Sequence, residues 1–187
     1  VFVTVAGSSR YSHNFQTTAR SDATTMYPGF LILIIILSYV LLRSVSASLI
    51  SLIIIFLSIL PSMGMAGWLG FEAQPPLIIA PILILTIALA HAVHILSIAL
   101  TNLNEGKNKV ESITESLKVN MTPVFLTSLT TAVGVAGVNF GKIPAFSEMA
   151  NTVVIGSAIS FALSVIVLPI LFIIMPIKSH GKSSVVL

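Results

Sequence analysis

His91 and His94 lie three residues apart in the stretch ALAHAVHIL, residues 88–96, within one of the most apolar segments of the chain. Side chains at i and i+3 project from neighbouring positions on one helix face. Thr86, Ser97 and Thr101 fall on the same broad side, so an otherwise oily rod carries a polar stripe. Histidine titrates near physiological pH, and its two ring nitrogens can receive a proton and pass one on. Ionisable groups in a membrane span usually face a bundle interior or a water-filled cavity, and often mark ion or proton paths. Two readings stand open. The pair are proton-relay residues, or both stay neutral and join helices through hydrogen bonds of about 1 kcal/mol apiece.

A second polar cluster follows in FLTSLTTAVG, where Thr127, Thr130 and Thr131 are spaced i, i+3, i+4. Threonine hydroxyls commonly bond back to their own helix carbonyls. The alternative expectation is that these three face the histidines and complete a hydrated relay. No Asp, Glu, Lys or Arg lies deep in an apolar segment, so the histidines alone could titrate there. Metal or haem ligation by His91 and His94 lacks the cysteine or nearby carboxylate that would complete a site. No nucleophile–base set, phosphate loop or basic nucleic-acid patch appears. The expectation is no enzyme, no metal, no cofactor and no nucleic-acid partner.

The elements that hold these residues follow from composition. The 187 residues are 56% hydrophobic and only 8% charged, with a mean hydropathy of +1.05. A soluble domain carries roughly 25% charged residues, so the chain is read as an all-α polytopic membrane protein. Five apolar spans, at about 28–42, 47–69, 76–100, 123–140 and 149–174, approach the ~20 residues that cross a bilayer core. The first is short and the second contains Pro61. Small residues mark expected packing faces: Gly137 with Gly141, and Gly156 with Ser160 and Ser164.

Before the spans, residues 1–6 alternate as a strand does and residues 11–26 suit a helix, with Ser12 or Asn14 as its cap. Together they read as the end of an outer α+β domain and the helix leading into the membrane. Between spans three and four, Val110, Ile113 and Leu117 recur at helical spacing in residues 105–119, as in an amphipathic helix along the membrane surface. Of the nine basic residues, Arg43, Lys107, Lys109, Lys118, Lys178 and Lys182 share one side; Arg10, Arg20 and Lys142 share the other. The positive-inside bias makes the first group cytoplasmic, including the tail 178–187. The chain begins at Val1 and reads as a piece of something longer, and zero cysteines excludes disulfides and thiolate metal sites.

The stretch AHAVHILSIALTNLNEGKNKVESITESLKVNMTPVFLTSLTTAVGVAGVNFGKIPAFSEMA resembles the resistance-nodulation-division (RND) superfamily, in its MMPL-like branch of exporters. The matching features are His94, residues 123–132 with Gly134, Asn139–Phe140, and Pro144 with Phe146. Upstream, HNFQTTARSDATTMYPGF looks like the helix leaving the periplasmic domain, and LLRS like the end of the span it enters. The resemblance implies the second to sixth helices of a six-helix half, with the TSLTTA version closer to the first half. It further implies proton-driven export of hydrophobic or lipid-like substrates and a bacterial inner-membrane location. The implied partners are the bilayer, the substrate and a second half of the same transporter, singly or in an oligomer. The same five-helix block is the architecture of sterol-sensing domains, so a non-transporting sensor is the rival reading. One departure matters: His91 stands where the pattern usually has an aspartate thought to carry the coupling proton.

Overall fold

The computed structural model describes residue 24, residues 27–141 and residues 143–177. The expected N-terminal strand, all but one residue of the leading helix, and the tail lie outside the described residues.

Among the described residues, five α-helices form the bundle: α1 (Tyr27–Leu42), α2 (Val45–Trp68), α3 (Pro75–Asn104), α4 (Lys109–Ala136) and α5 (Pro144–Ile174), with a 3-10 turn at Gly137–Phe140. The last four are long and apolar enough to cross a membrane. At 1.5 Å per residue α1 covers about 24 Å, short of a ~30 Å hydrocarbon core. The chain is an all-α polytopic membrane protein.

Burial is inverted relative to a soluble bundle. Ile32, Ile36, Leu60, Leu129, Val133 and Ile166 are exposed, while serines dominate the buried polar residues. Without a hydrophobic force between helices in lipid, small residues permit close approach and hydroxyls supply hydrogen bonds. α5 packs against α2, α3 and α4. Leu168 and Phe172 anchor it among Ile50, Ile54, Ile95, Leu96 and Val124. α1 joins through Ile34, which packs with Ile55, Leu85 and Ala88, and through Ser38 Oγ, 2.5 Å from Ser51 Oγ.

Short, capped turns fix the register. Ser44 caps α2, accepting from the Ala47 amide at 3.4 Å. Asn108 and Glu111 form a reciprocal capping box at the start of α4, which satisfies two otherwise orphaned amides. Gly106, at φ 97, supplies the left-handed residue that turns α3 into α4. At this same end Lys109 Nζ donates to the carbonyls of Ile173 (3.2 Å) and Met175 (2.6 Å). Ser46 Oγ donates to Pro176 O at 2.9 Å, so α2 and α4 both hold the end of α5.

One expectation is corrected here. The segment 105–119 is not a separate surface helix: α4 runs from Lys109 through Pro123 into the span without a break. Ile113 is buried and Leu117 packs on the core, whereas Val110 is exposed. A proline inside a helix loses one backbone bond, and membrane helices tolerate that where neighbours hold them. Prolines also lie inside α2, α3 and α5, at Pro61, Pro81 and Pro169.

Candidate functional site

His91 sits near the middle of α3 with only 1% of its surface exposed. Its neighbours along the buried face are Ala88, Ala92 and Ile95, small or slim enough for α4 and α5 to close on the ring. Its Nε2 lies 3.1 Å from Ser128 Oγ on α4, and its Nδ1 lies 3.2 Å from Ser160 Oγ on α5. Ser157 Oγ, also on α5, donates to the Ser128 carbonyl at 3.2 Å. The ring is thus held at a junction of three helices, with both nitrogens partnered.

Close approach of α3 and α5 depends on Gly156, one turn before Ser160. A β-carbon there would come within 2.5 Å of Ile84 Cδ1 and Cγ1. Ser160 and Ser164 continue this face and are fully buried. The pair Gly137 and Gly141 behaves differently: a β-carbon on Gly137 meets nothing within 4 Å, and on Gly141 it meets Val138 O of its own turn. Among the described residues, that pair makes no helix-to-helix approach.

The remaining sequence-derived residues are dispersed. His94 is exposed, about a sixth of a turn round the helix from His91. Thr86, Ser97 and Thr101 bond to carbonyls of their own helix, at Leu83, His94 and Ser97. Thr127 and Thr130 are exposed and bond back to Pro123 and Leu126; Thr131 is half-buried. The hydroxyl that reaches His91 from α4 is therefore Ser128 rather than any of the three threonines. The signal for it was present: Ser112, Ser116, Asn120 and Ser128 lie on one line at multiples of four, the spacing of a single helix face.

No group of three His, Cys, Asp or Glu side chains that could hold a metal occurs among the described residues. An open groove of about 640 Å³ lies between the ends of α1, α2 and α3, lined by apolar atoms of Tyr27, Met63, Leu77, Ile78 and Pro81. Tyr27 Oη donates to the Ile78 carbonyl at its edge. The groove occupies a different seam from His91.

Outside the membrane, Lys107 bridges Glu115 Oε2 (2.5 Å) and Asn102 Oδ1 (3.3 Å) across the α3–α4 turn. The hydrogen bond to Glu115 holds its ammonium above the usual lysine range, reinforced by the charges of Glu115, Glu105 and Glu111 against some desolvation.

These features define a multi-pass helical membrane protein with one histidine locked at a three-helix junction. The chain matches the family model of the MMPL family over residues 1–179, and it belongs to that family of RND-type membrane transporters. No curated protein and no solved structure matches it.

Proposed function

We propose that this chain is the membrane segment of a proton-motive-force-driven exporter of hydrophobic or lipid-like molecules, with His91 as the proton-handling residue. The observation that carries this is the buried ring with a serine hydroxyl from a different helix on each nitrogen. A neutral imidazole donates through one nitrogen and accepts through the other, and the imidazolium donates through both. Serine hydroxyls can serve either role, so the same heavy-atom arrangement accommodates both protonation states. A residue that gains and loses a proton between packed helices needs that tolerance. Where an aspartate would cycle between negative and neutral, His91 cycles between neutral and positive, which reverses the neighbours that stabilise the loaded state.

The supporting context is of three kinds. Thr86, His94 and Thr101 put polar groups on the outer face of α3; a covering second half of the same transporter accounts for such a face within a membrane. The apolar groove between α1, α2 and α3 suits an acyl chain or similar substrate. The bias of basic residues supports a topology with the α3–α4 turn in the cytoplasm and the N-terminal segment outside a bacterial inner membrane.

The test is export by the full-length protein carrying His91→Gln, alone and with His94→Gln. The expected result is loss of pH-dependent export at normal protein level. Export unchanged from about pH 5.5 to about 8, the window in which histidine titrates, overturns the reading. The same contacts also satisfy a permanently neutral His91 acting as a helix joint in a sensor block of the sterol-sensing type. That reading expects His91→Asn to leave function intact.

A further inference from the structure

Exposed threonines on this bundle mostly satisfy themselves. Thr86, Thr101, Thr127 and Thr130 each bond a carbonyl three or four residues back on their own helix, the usual resort of a helical hydroxyl. Two threonines of α4 do not. Thr114 and Thr122 are exposed, and among the described residues neither makes a hydrogen bond. Lys118 stands between them, one turn from each on the same helix face. It too is exposed, and among the described residues it has no carboxylate partner. The nearest acids on α4 are committed elsewhere: Glu115 to Lys107 at 2.5 Å, and Glu111 to the Asn108 amide at 3.4 Å.

Lys118 also marks the level at which α4 meets lipid. Beyond it, Met121, Phe125, Leu126, Leu129 and Val133 are exposed. The neighbouring stretch of α5 is bracketed by two contacts. Lys109 reaches the carbonyls of Ile173 and Met175, and the Phe125 ring lies edge-on to Phe161 at 5.7 Å. Between those points α5 exposes Ile166, Ile170 and Ile173. A lone cation and two unbonded hydroxyls thus stand beside side chains suited to acyl chains. Helical side chains lean toward the helix N-terminus, which tips the Lys118 ammonium toward Thr114 and the nearer membrane surface, as snorkelling requires. At the foot of the row an open hollow of about 530 Å³ is lined by Lys109, Val110, Glu111 and Thr114.

We propose that this face of α4 binds an anionic phospholipid from the leaflet on the side of the α3–α4 turn. The phosphodiester lies at Lys118 and Thr114, which supply a charge and a hydroxyl donor to its oxygens. Its single negative charge matches the single ammonium, and basic side chains near a membrane surface attract such lipids. Thr122, a turn deeper, meets the glycerol ester region, the chains run over Met121 and Phe125, and the rest of the headgroup takes the hollow. A carboxylate from a neighbouring helix would also satisfy Lys118. A lipid is favoured because it has a head for the hollow below and chains for the apolar surface above. The site depends neither on the proton reading of His91 nor on what is exported.

The test titrates dioleoyl phosphatidylglycerol into the full-length protein in neutral detergent and follows adducts by native mass spectrometry. Dioleoyl phosphatidylcholine is the reference lipid. The parent should bind phosphatidylglycerol several-fold more tightly. Lys118→Gln and Thr114→Val should each remove most of that preference, and Lys118→Arg should keep it. Arg43→Gln, the same charge change at the α1–α2 turn, should leave it intact. An equal loss in Arg43→Gln reduces the effect to general surface charge and overturns the site. A parent with no preference also overturns it, which is the result expected if a carboxylate of the full-length protein already pairs with Lys118. Glycerol phosphate, a head without chains, should not compete; displacement at equal concentration overturns a lipid as the occupant. Should Lys118→Gln melt below the parent without added lipid, Thr114→Val carries the comparison, since valine keeps the shape of threonine.

Discussion

His91 Nε2 and Ser128 Oγ, on adjacent helices, lie 3.1 Å apart in a site where neither side chain is exposed beyond 7%. Their coupling is directly measurable. Ser128→Ala leaves one ring nitrogen without its protein partner, and a double-mutant cycle with His91→Gln should return an interaction of about 0.6 kcal/mol, the average for membrane hydrogen bonds, and no more than about 1.7 kcal/mol, the largest found. The same variant separates the two roles of the histidine. If His91 handles protons, Ser128→Ala displaces the pH profile of export in the full-length protein; a helix joint alone lowers stability and leaves the profile in place.

Gly156 sets how closely α5 can lie on α3. Gly156→Ala drives a β-carbon to 2.5 Å from the Ile84 side chain, and overpacking of this kind costs about 1–3 kcal/mol. Because Ser160 is one turn away, displacement of α5 also lengthens the contact to His91 Nδ1. Ile84→Ala removes the clashing atoms. Thermal unfolding in detergent should show Gly156→Ala strongly destabilised and less so in the Ile84→Ala background. Additive losses in the double variant would refute the contact as the cause.

The helices were legible because apolar mass is a strong, local signal, and His91, titratable within it, stood out as a residue that the bundle has to bury or partner. The partners of His91 carried a fainter signal, the four-residue spacing that leads to Ser128. Thr127, Thr130 and Thr131 draw the eye as a polar cluster, yet a threonine on an exposed helix face can satisfy itself on its own backbone, as Thr127 does with Pro123. Ser128, between them, faces inward by phase alone. His94 shows the same limit: a 3-residue step turns a helix by 300°, enough to carry the second ring out of a narrow seam. The join of the polar segment to the fourth span was hidden because Asn104–Asn120 is too polar to span unaided. Ser112, Ser116 and Asn120 become acceptable only when α3 and α5 cover them.

Lys107 offers a pH test outside the membrane. Its ammonium is held above the usual lysine range, first by the hydrogen bond to Glu115. A raised folded-state value means the contribution is complete below the unfolded value of about 10.4 and fades as pH rises through the higher folded one. Lys107→Met should therefore melt below the parent protein at neutral pH, with the two curves converging only in strongly alkaline buffer. A pH-independent difference would assign the loss to packing of the lysine stem instead of its charge.

Arg43 is the one non-glycine described residue in the left-handed region, at φ 46. It forms the tight link between α1 and α2, with its amide donating to Tyr39 O at 2.8 Å and Ser44 immediately starting the next cap. A side chain with a β-carbon pays about 1–2 kcal/mol for that conformation. Glycine relieves this but gives the unfolded chain more freedom, worth about 0.4–1 kcal/mol in the opposite direction. Arg43→Gly should thus raise stability by about 0.5 kcal/mol, while β-branched Arg43→Val lowers it, since branching is least tolerated at positive φ. Thermal unfolding of the three proteins in one detergent gives the order Gly, Arg, Val. If glycine ranks below arginine, contacts of the guanidinium at the membrane surface outweigh the strain, and the cation itself is what selects this residue for the turn.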